Sequence, residues 1–162
     1  MNRNYSVSDF KKIISEFRKN IPDITIWTDI IVGFPGESEN DFASSLELVK
    51  ETKPDFINVS RFGPRPKTKA AGMQQLPLQL RKERSRAMAK LVDEISLERN
   101  RNWLNWSGPA LVDEYNCQKR NWIARNHSYK PIVLSGKLDF GKIVNTKITK
   151  AERSLIGNLI KS

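Results

Sequence analysis

Two short stretches carry residues whose types and spacing could do chemistry. The first is Gly33-Phe34-Pro35-Gly36-Glu37, which closes the apolar run Ile30-Ile31-Val32. Glycine at such a corner lets backbone groups approach a ligand closely, and parallel α/β folds bind ligands at the carboxyl ends of their strands. The same residues also make an ordinary turn, with Gly33 and Gly36 supplying unusual backbone angles, Pro35 fixing φ and Glu37 suiting the start of a helix. Both readings stand. The corner lacks the Lys-Ser/Thr of a phosphate loop and the three-glycine dinucleotide pattern, which argues against a nucleoside triphosphate or NAD site. The second stretch begins with Lys119 and Arg120 and continues through Trp122, Arg125, Asn126, His127, Tyr129 and Lys130. Aromatic faces stack on splayed bases while cations meet phosphates, so this interleaving suits RNA. Trp122 equally suits a core, whereas Arg125 and Lys130 are expected to face solvent or RNA. His127, the only histidine, has no second histidine or acid beside it in sequence and is assigned no catalytic or metal role.

The elements that must hold these residues follow from periodicity. Ser6-Val7-Ser8-Asp9 fits a capping box, and Val7, Phe10, Ile13, Ile14 and Phe17 recur at helical spacing, predicting a helix over 7–19. Ile24–Val32 reads as a strand covered on both faces, as in a parallel sheet. Ser38-Glu39-Asn40-Asp41 is a second capping box, opening a helix whose buried stripe is Phe42, Leu46 and Val49 and which ends near Lys53-Pro54. Phe56–Phe62 is the next strand, with Gly63-Pro64-Arg65-Pro66 as the loop after it. From Pro77 the segment LQLRKERSRAMAKLVDEISLERNRNW has no glycine or proline, so it is one long helix of roughly 40 Å joining two parts. Its RKERSR cluster is read as a solvated face in preference to a direct RNA contact, with Leu80, Met88, Leu91 and Ile95 packing on the barrel. Beyond it ALVDEY, NWIARN, PIVL, KIVNTKI and SLIGNLI are short strands separated by turn residues, which predicts a small antiparallel barrel over 108–162.

Charge and cysteine content narrow the function. The net charge is +10, and it is uneven: residues 108–162 hold 10 Lys/Arg against 4 Asp/Glu, whereas residues 1–76 hold 11 against 10. A basic small barrel is the footprint of a polyanion binder, with nucleic acid the leading partner. Cys117 is the only cysteine, so this chain alone makes neither a disulfide nor a metal or iron–sulfur site built from several cysteines. No run of about 18 apolar residues occurs and MNRNYSVSDF lacks a signal-peptide core, so the chain is expected to be cytoplasmic, with no membrane partner.

In order, TDIIVGFPGES followed by DF, then SRFGPRPKTKAA, the RKERSR helix and the basic WIARNHSYKPIV resemble the C-terminal part of the radical S-adenosylmethionine methylthiotransferases. The likeness is to the archaeal and eukaryotic tRNA branch and runs from MNRNYSVSDF to SLIGNLI. It implies residues 1–76 as the end of a radical-SAM α/β barrel, 77–106 as a linking helix, and 108–162 as a TRAM domain, an OB-like RNA-binding barrel. It places Ile31, Gly33, Phe34, Pro35, Gly36, Glu37 and Arg61 around S-adenosylmethionine, with Arg65 and Thr68 beside Arg61 near the opening, and Lys119, Arg120, Trp122, Arg125, Asn126, Tyr129 and Lys130 on RNA. The implied activity is 2-methylthiolation of N6-threonylcarbamoyladenosine beside the tRNA anticodon. Two departures stand out. Lys67 occupies a position where the family has glycine, which puts the left-handed turn there in doubt. The three-cysteine motif for a 4Fe-4S cluster is missing, so the chain is expected to be a fragment that is inactive without an N-terminal partner segment. The competing readings are a non-catalytic RNA-binding protein and the branch that modifies a ribosomal protein.

Overall fold

The computed structural model describes residues 4–160. They form two compact units, one of residues up to Ile14 with Ile26–Ser96, the other of Ser15–Thr25 with Leu97 onward. Helix α1 (Val7–Asn20) and helix α3 (Leu78–Arg101) are each divided between the two. Among the described residues no helix is long and apolar enough to cross a membrane.

The first unit is built around strand β1 (Trp27–Val32), helix α2 (Glu39–Thr52) and strand β2 (Phe56–Arg61), a βαβ arrangement in which the strands pair in parallel from Trp27 opposite Phe56 to Val32 opposite Arg61. Both capping boxes form. The Ser38 Oγ accepts the Asp41 N–H at 3.1 Å and the Asp41 Oδ2 accepts the Ser38 N–H at 2.9 Å. Ser6 and Asp9 repeat the exchange at 3.2 and 2.8 Å ahead of α1. At the far end of α2, Lys53 turns left-handed at φ 39°, and Pro54 prevents continuation. Buried Asp55 then starts the sheet, accepting the Ile26 N–H at 3.0 Å and donating its own N–H to the Ile26 carbonyl at 2.9 Å. Val32, Phe42, Val49, Met88 and Ile95 make the core, with Ile30, Leu46, Ile57, Val59, Leu91 and Val92 against it. Met88, Leu91 and Ile95 thus belong to this core, while Leu80, expected in the same stripe, stays half-buried outside it.

Two strand expectations need correction. β1 begins at Trp27 and not at Ile24, because the Ile24 N–H closes a turn onto the Ile21 carbonyl at 3.0 Å. Nor is β1 covered on both faces: Trp27, Asp29 and Ile31 are exposed, with Trp27 against Phe56 at 5.0 Å between ring centres and Asp29 bonded to Asn58. Among the described residues the first unit holds this two-stranded sheet only, so the apolar outer face encoded in Trp27 and Ile31 has no second layer. In α1, likewise, only Ile14 of the apolar stripe is buried.

The second unit is a closed five-stranded barrel in the order β3 (Ser107–Asn116), β4 (Asn121–Arg125), β5 (Pro131–Leu134), β7 (Leu155–Leu159), β6 (Ile143–Ala151), with β6 returning to β3. It is not wholly antiparallel: β5 and β7 run parallel, Ile132 opposite Leu155. A ring of five strands cannot alternate direction throughout, so one parallel pair is a condition of closure. Ala110, Val112, Ala124, Ile132, Leu134, Ile148 and Leu155 fill the interior together with Trp103. Gly157 permits this packing, since a Cβ there would lie 2.7 Å from Thr146 Oγ1 and 2.9 Å from Ile132 Cγ2.

Candidate functional site

The glycine-proline corner is built by residues of β1, β2 and α3. Beyond Val32 the chain turns at Gly33, φ +76°, and the Gly33 N–H donates to Glu37 Oε2 at 2.9 Å. The Glu37 N–H closes the turn on the Phe34 carbonyl at 2.9 Å, and Phe34 meets Phe62 edge-on at 5.0 Å. Arg84 of α3 locks this arrangement from beneath. It is 3% exposed, and its Nη1 donates to the Glu37 carbonyl at 2.9 Å and to Glu37 Oε2 at 2.6 Å, while Nη2 donates to Glu39 Oε1 at 2.5 Å. Its guanidinium also lies over the Phe42 ring. Burial works against the charge on Arg84, but the hydrogen bonds to Glu39 and Glu37 outweigh it and hold the group above its ordinary value. One turn earlier, Arg81 donates to the Phe62 carbonyl at 2.9 Å.

The RKERSR cluster is therefore solvated only in part: Glu83 and Arg86 are exposed, whereas Arg84 turns in. Arg84 continues the Met88-Leu91-Ile95 stripe one turn towards the helix start, and that spacing was the available signal. The two glycines differ in role. A Cβ on Gly33 would sit 2.5 Å from Arg81 Cγ, so Gly33 serves helix packing, whereas Gly36, φ +85°, faces open space. Beside it lies a concavity of about 320 Å³ lined by Ile31, Phe34, Pro35, Gly36, Glu37 and Asp41. Its walls mix apolar and polar surface, and both of its carboxylates are already engaged. Hydrogen bonds from Ser38, side chain first and backbone second, hold Asp41 below the usual carboxylate range. Such a site suits a flat apolar group more than proton transfer. Arg61 lines a separate concavity with Val59, Ser60, Phe62, Leu78 and Arg81. In the following loop Lys67 adopts φ 65°, so the left-handed turn is kept without glycine, and Thr68 caps the short turn Lys69–Gly72.

The barrel sorts the aromatic and basic residues differently from their sequence pattern. Lys119 and Arg120 are exposed in the β3–β4 hairpin. Trp122 is half-buried against the core with its ring 4.7 Å from that of Tyr115. Arg125 is held by Asp113 at 2.6 Å and lies over Tyr129, which is exposed. Lys130 corrects the expectation that it faces solvent or RNA: it is buried, and its Nζ donates to Asn100 Oδ1 at 3.0 Å. Asn126 is also buried, its Oδ1 accepting the Lys130 and Ser128 N–H groups at 2.9 and 3.1 Å. Both shape the loop from within. His127 is exposed, 4.0 Å from Asp23 and beside Trp103 and Trp106. Among the described residues no three His, Cys, Asp or Glu side chains are placed to hold a metal ion, and Cys117 is exposed. One thiol does not fit an iron–sulfur cluster.

A parallel βαβ segment with a ligand-sized corner and a closed, basic five-stranded barrel define the class of chain. No family model matches it. It is 39% identical over 160 residues to the probable threonylcarbamoyladenosine tRNA methylthiotransferase of Archaeoglobus fulgidus, covering 98% of this chain and 37% of that protein. The Pyrococcus abyssi protein of the same name is 41% identical over 153 residues, covering 92% and 36%. The tRNA-2-methylthio-N(6)-dimethylallyladenosine synthase of Caldicellulosiruptor saccharolyticus is 37% identical over 163 residues, covering 99% of this chain and 36% of that protein. The chain thus spans little more than a third of the length of these three relatives. Over nearly its whole length the chain is similar to the C-terminal part of proteins named threonylcarbamoyladenosine tRNA methylthiotransferase.

Proposed function

We propose that this chain supplies one wall of an S-adenosylmethionine pocket and the RNA-binding barrel of an enzyme that 2-methylthiolates N6-threonylcarbamoyladenosine beside the tRNA anticodon. The reading is carried by likeness along nearly the whole chain to proteins so named. It makes residues 1–76 the end of a radical-SAM barrel, α3 the link, and 108–162 a TRAM domain. In that role the exposed face of β1 and β2 lines a barrel interior, and a preceding segment of the same enzyme covers it.

The corner fits one side of the cofactor. Its volume, about 320 Å³, falls within the range of small-molecule sites, and Ile31, Phe34 and Pro35 offer apolar surface to an adenine ring. Gly36 leaves backbone open at the mouth. Glu37 acts differently, since its carboxylate is bound to Gly33 and Arg84 and therefore shapes the wall. When bound, S-adenosylmethionine supplies the radical and the methyl group. The cluster that would cleave it has no ligands here, so no step is assigned to this chain beyond binding and orientation.

Titrating the isotope-labelled chain with S-adenosylmethionine, and separately with an anticodon stem-loop, tests the reading by NMR. Cofactor should shift the amides of Ile31, Phe34 and Gly36, and RNA those of the barrel. Barrel shifts with RNA but none at the corner with cofactor would favour a non-catalytic RNA-binding protein. No response to either would overturn the proposal.

A further inference from the structure

On the outside of the barrel, strand register assembles a row of side chains that are distant in sequence. Leu111 of β3 lies opposite Arg125 of β4 and also opposite Ile143 of β6. Directly paired residues of antiparallel strands project to the same side. Ala110, Val112 and Ala124, their chain neighbours, are buried in the core, so this row faces out, with Ile143 71% exposed. At one end the Arg125 guanidinium rests 4.6 Å from the centre of the Tyr129 ring, which is itself 61% exposed. Near the other end, Gly141 donates to the Val112 carbonyl at 2.8 Å and Val112 donates to the Lys142 carbonyl at 2.9 Å. These bonds hold Phe140, 72% exposed, and Lys142 beside the row.

The loop that presents Tyr129 is built to do so. Tyr129 stands at φ 62°, a left-handed conformation costly for an aromatic residue, and its N–H is bonded to the Asn126 carbonyl at 2.9 Å. Buried Asn126 and Lys130 brace that turn from below. The outcome is two exposed aromatic rings and an apolar strip between cations, on a segment holding 10 Lys/Arg against 4 Asp/Glu. Positive charge selects a polyanion, and exposed rings select one with unpaired bases.

Resting on the RNA-binding reading above, we propose that Tyr129, Arg125, Leu111 and Ile143, flanked by Phe140 and Lys142, form the platform on which unpaired RNA bases stack. The hairpin cations Lys119 and Arg120 then supply long-range attraction only. The platform discriminates single-stranded loops from duplex, whose bases offer no free faces.

Fluorescence anisotropy of the full chain with a labelled stem-loop, and with a fully paired duplex of equal length, tests this. Tyr129→Ala and Phe140→Ala should each weaken stem-loop binding by about tenfold or more, erase the preference over duplex, and leave the salt slope unchanged. Lys119→Ala with Arg120→Ala should lower that slope by about 2 and keep the preference. Because Phe140 is so exposed, its variant stays informative even if Tyr129→Ala disturbs the loop. Wild-type binding that both aromatic variants retain would overturn the platform alone. Absence of any RNA binding by the wild-type chain would overturn the RNA reading and the platform with it, and binding of a protein partner to this row would do the same for the platform.

Discussion

Replacing Arg84 with methionine should free the glycine-proline corner while the unit around it stays folded. Methionine preserves the apolar stem against Phe42 but removes the bonds to Glu37 and Glu39. The two carboxylates contribute unequally, since the Glu37 side chain is 10% exposed and that of Glu39 is 77% exposed. The Glu39 half, screened by solvent, is worth at most about 1 kcal/mol. Losing the buried partner of Glu37 costs about 3 kcal/mol, the lower end for a broken buried pair, because the opened corner can admit water. The assay is amide hydrogen exchange followed by NMR, read at Gly33, whose N–H is bonded to that carboxylate. A local loss of about 3 kcal/mol corresponds to exchange faster by roughly a hundredfold. Val49 and Met88, in the core, should keep their protection. Unchanged exchange at Gly33 would refute the reasoning, and so would an equal acceleration at all three sites, which would mean global destabilisation.

Other consequences follow from particular backbone positions. Gly33→Ala should cost about 2–3 kcal/mol, through left-handed strain and the approach to Arg81, whereas Gly36→Ala, strained but unobstructed, should cost about 1 kcal/mol; denaturant unfolding monitored on α2 measures both. Lys67→Gly, relieving φ 65°, should stabilise by about 0.5–1 kcal/mol in the same assay. Asp41 titrates below its ordinary value of 3.8 in the folded chain, so its contribution to capping α2 is complete above that value and is lost as pH falls through the folded value. Exchange at the first turn of α2 should accelerate in that acid window, and a Ser38→Ala variant should already be faster at neutral pH.

Local chemistry was legible in the sequence, and long-range partnership was not. Ser38 with Asp41, Ser6 with Asp9, and the Met88-Leu91-Ile95 stripe depend on neighbours three or four residues away, and these formed, with Leu80 alone left outside the stripe. Lys130 looks like a surface lysine until Asn100, 30 residues earlier, accepts its ammonium group. Four cations in RKERSR look alike, and only the phase of the apolar stripe marks Arg84 as the one that turns in. The doubt over Lys67 had a sound steric basis, yet the loop retains the left-handed angle. The row across Leu111, Arg125 and Ile143 exists only once strand register is known. Around the corner, Ile31, Phe34, Pro35, Gly36 and Glu37 come together, while Arg61 lines another concavity.

The role proposed for this chain in 2-methylthiolation of threonylcarbamoyladenosine in tRNA has a direct readout in the nucleosides of the cell. Mass spectrometry of tRNA nucleosides from cells that lack the gene, beside cells that carry it, tests it most directly. The methylthio form should vanish and unmodified N6-threonylcarbamoyladenosine should accumulate in its place. Unchanged levels of both nucleosides, or loss of the dimethylallyladenosine derivative alone, would contradict it.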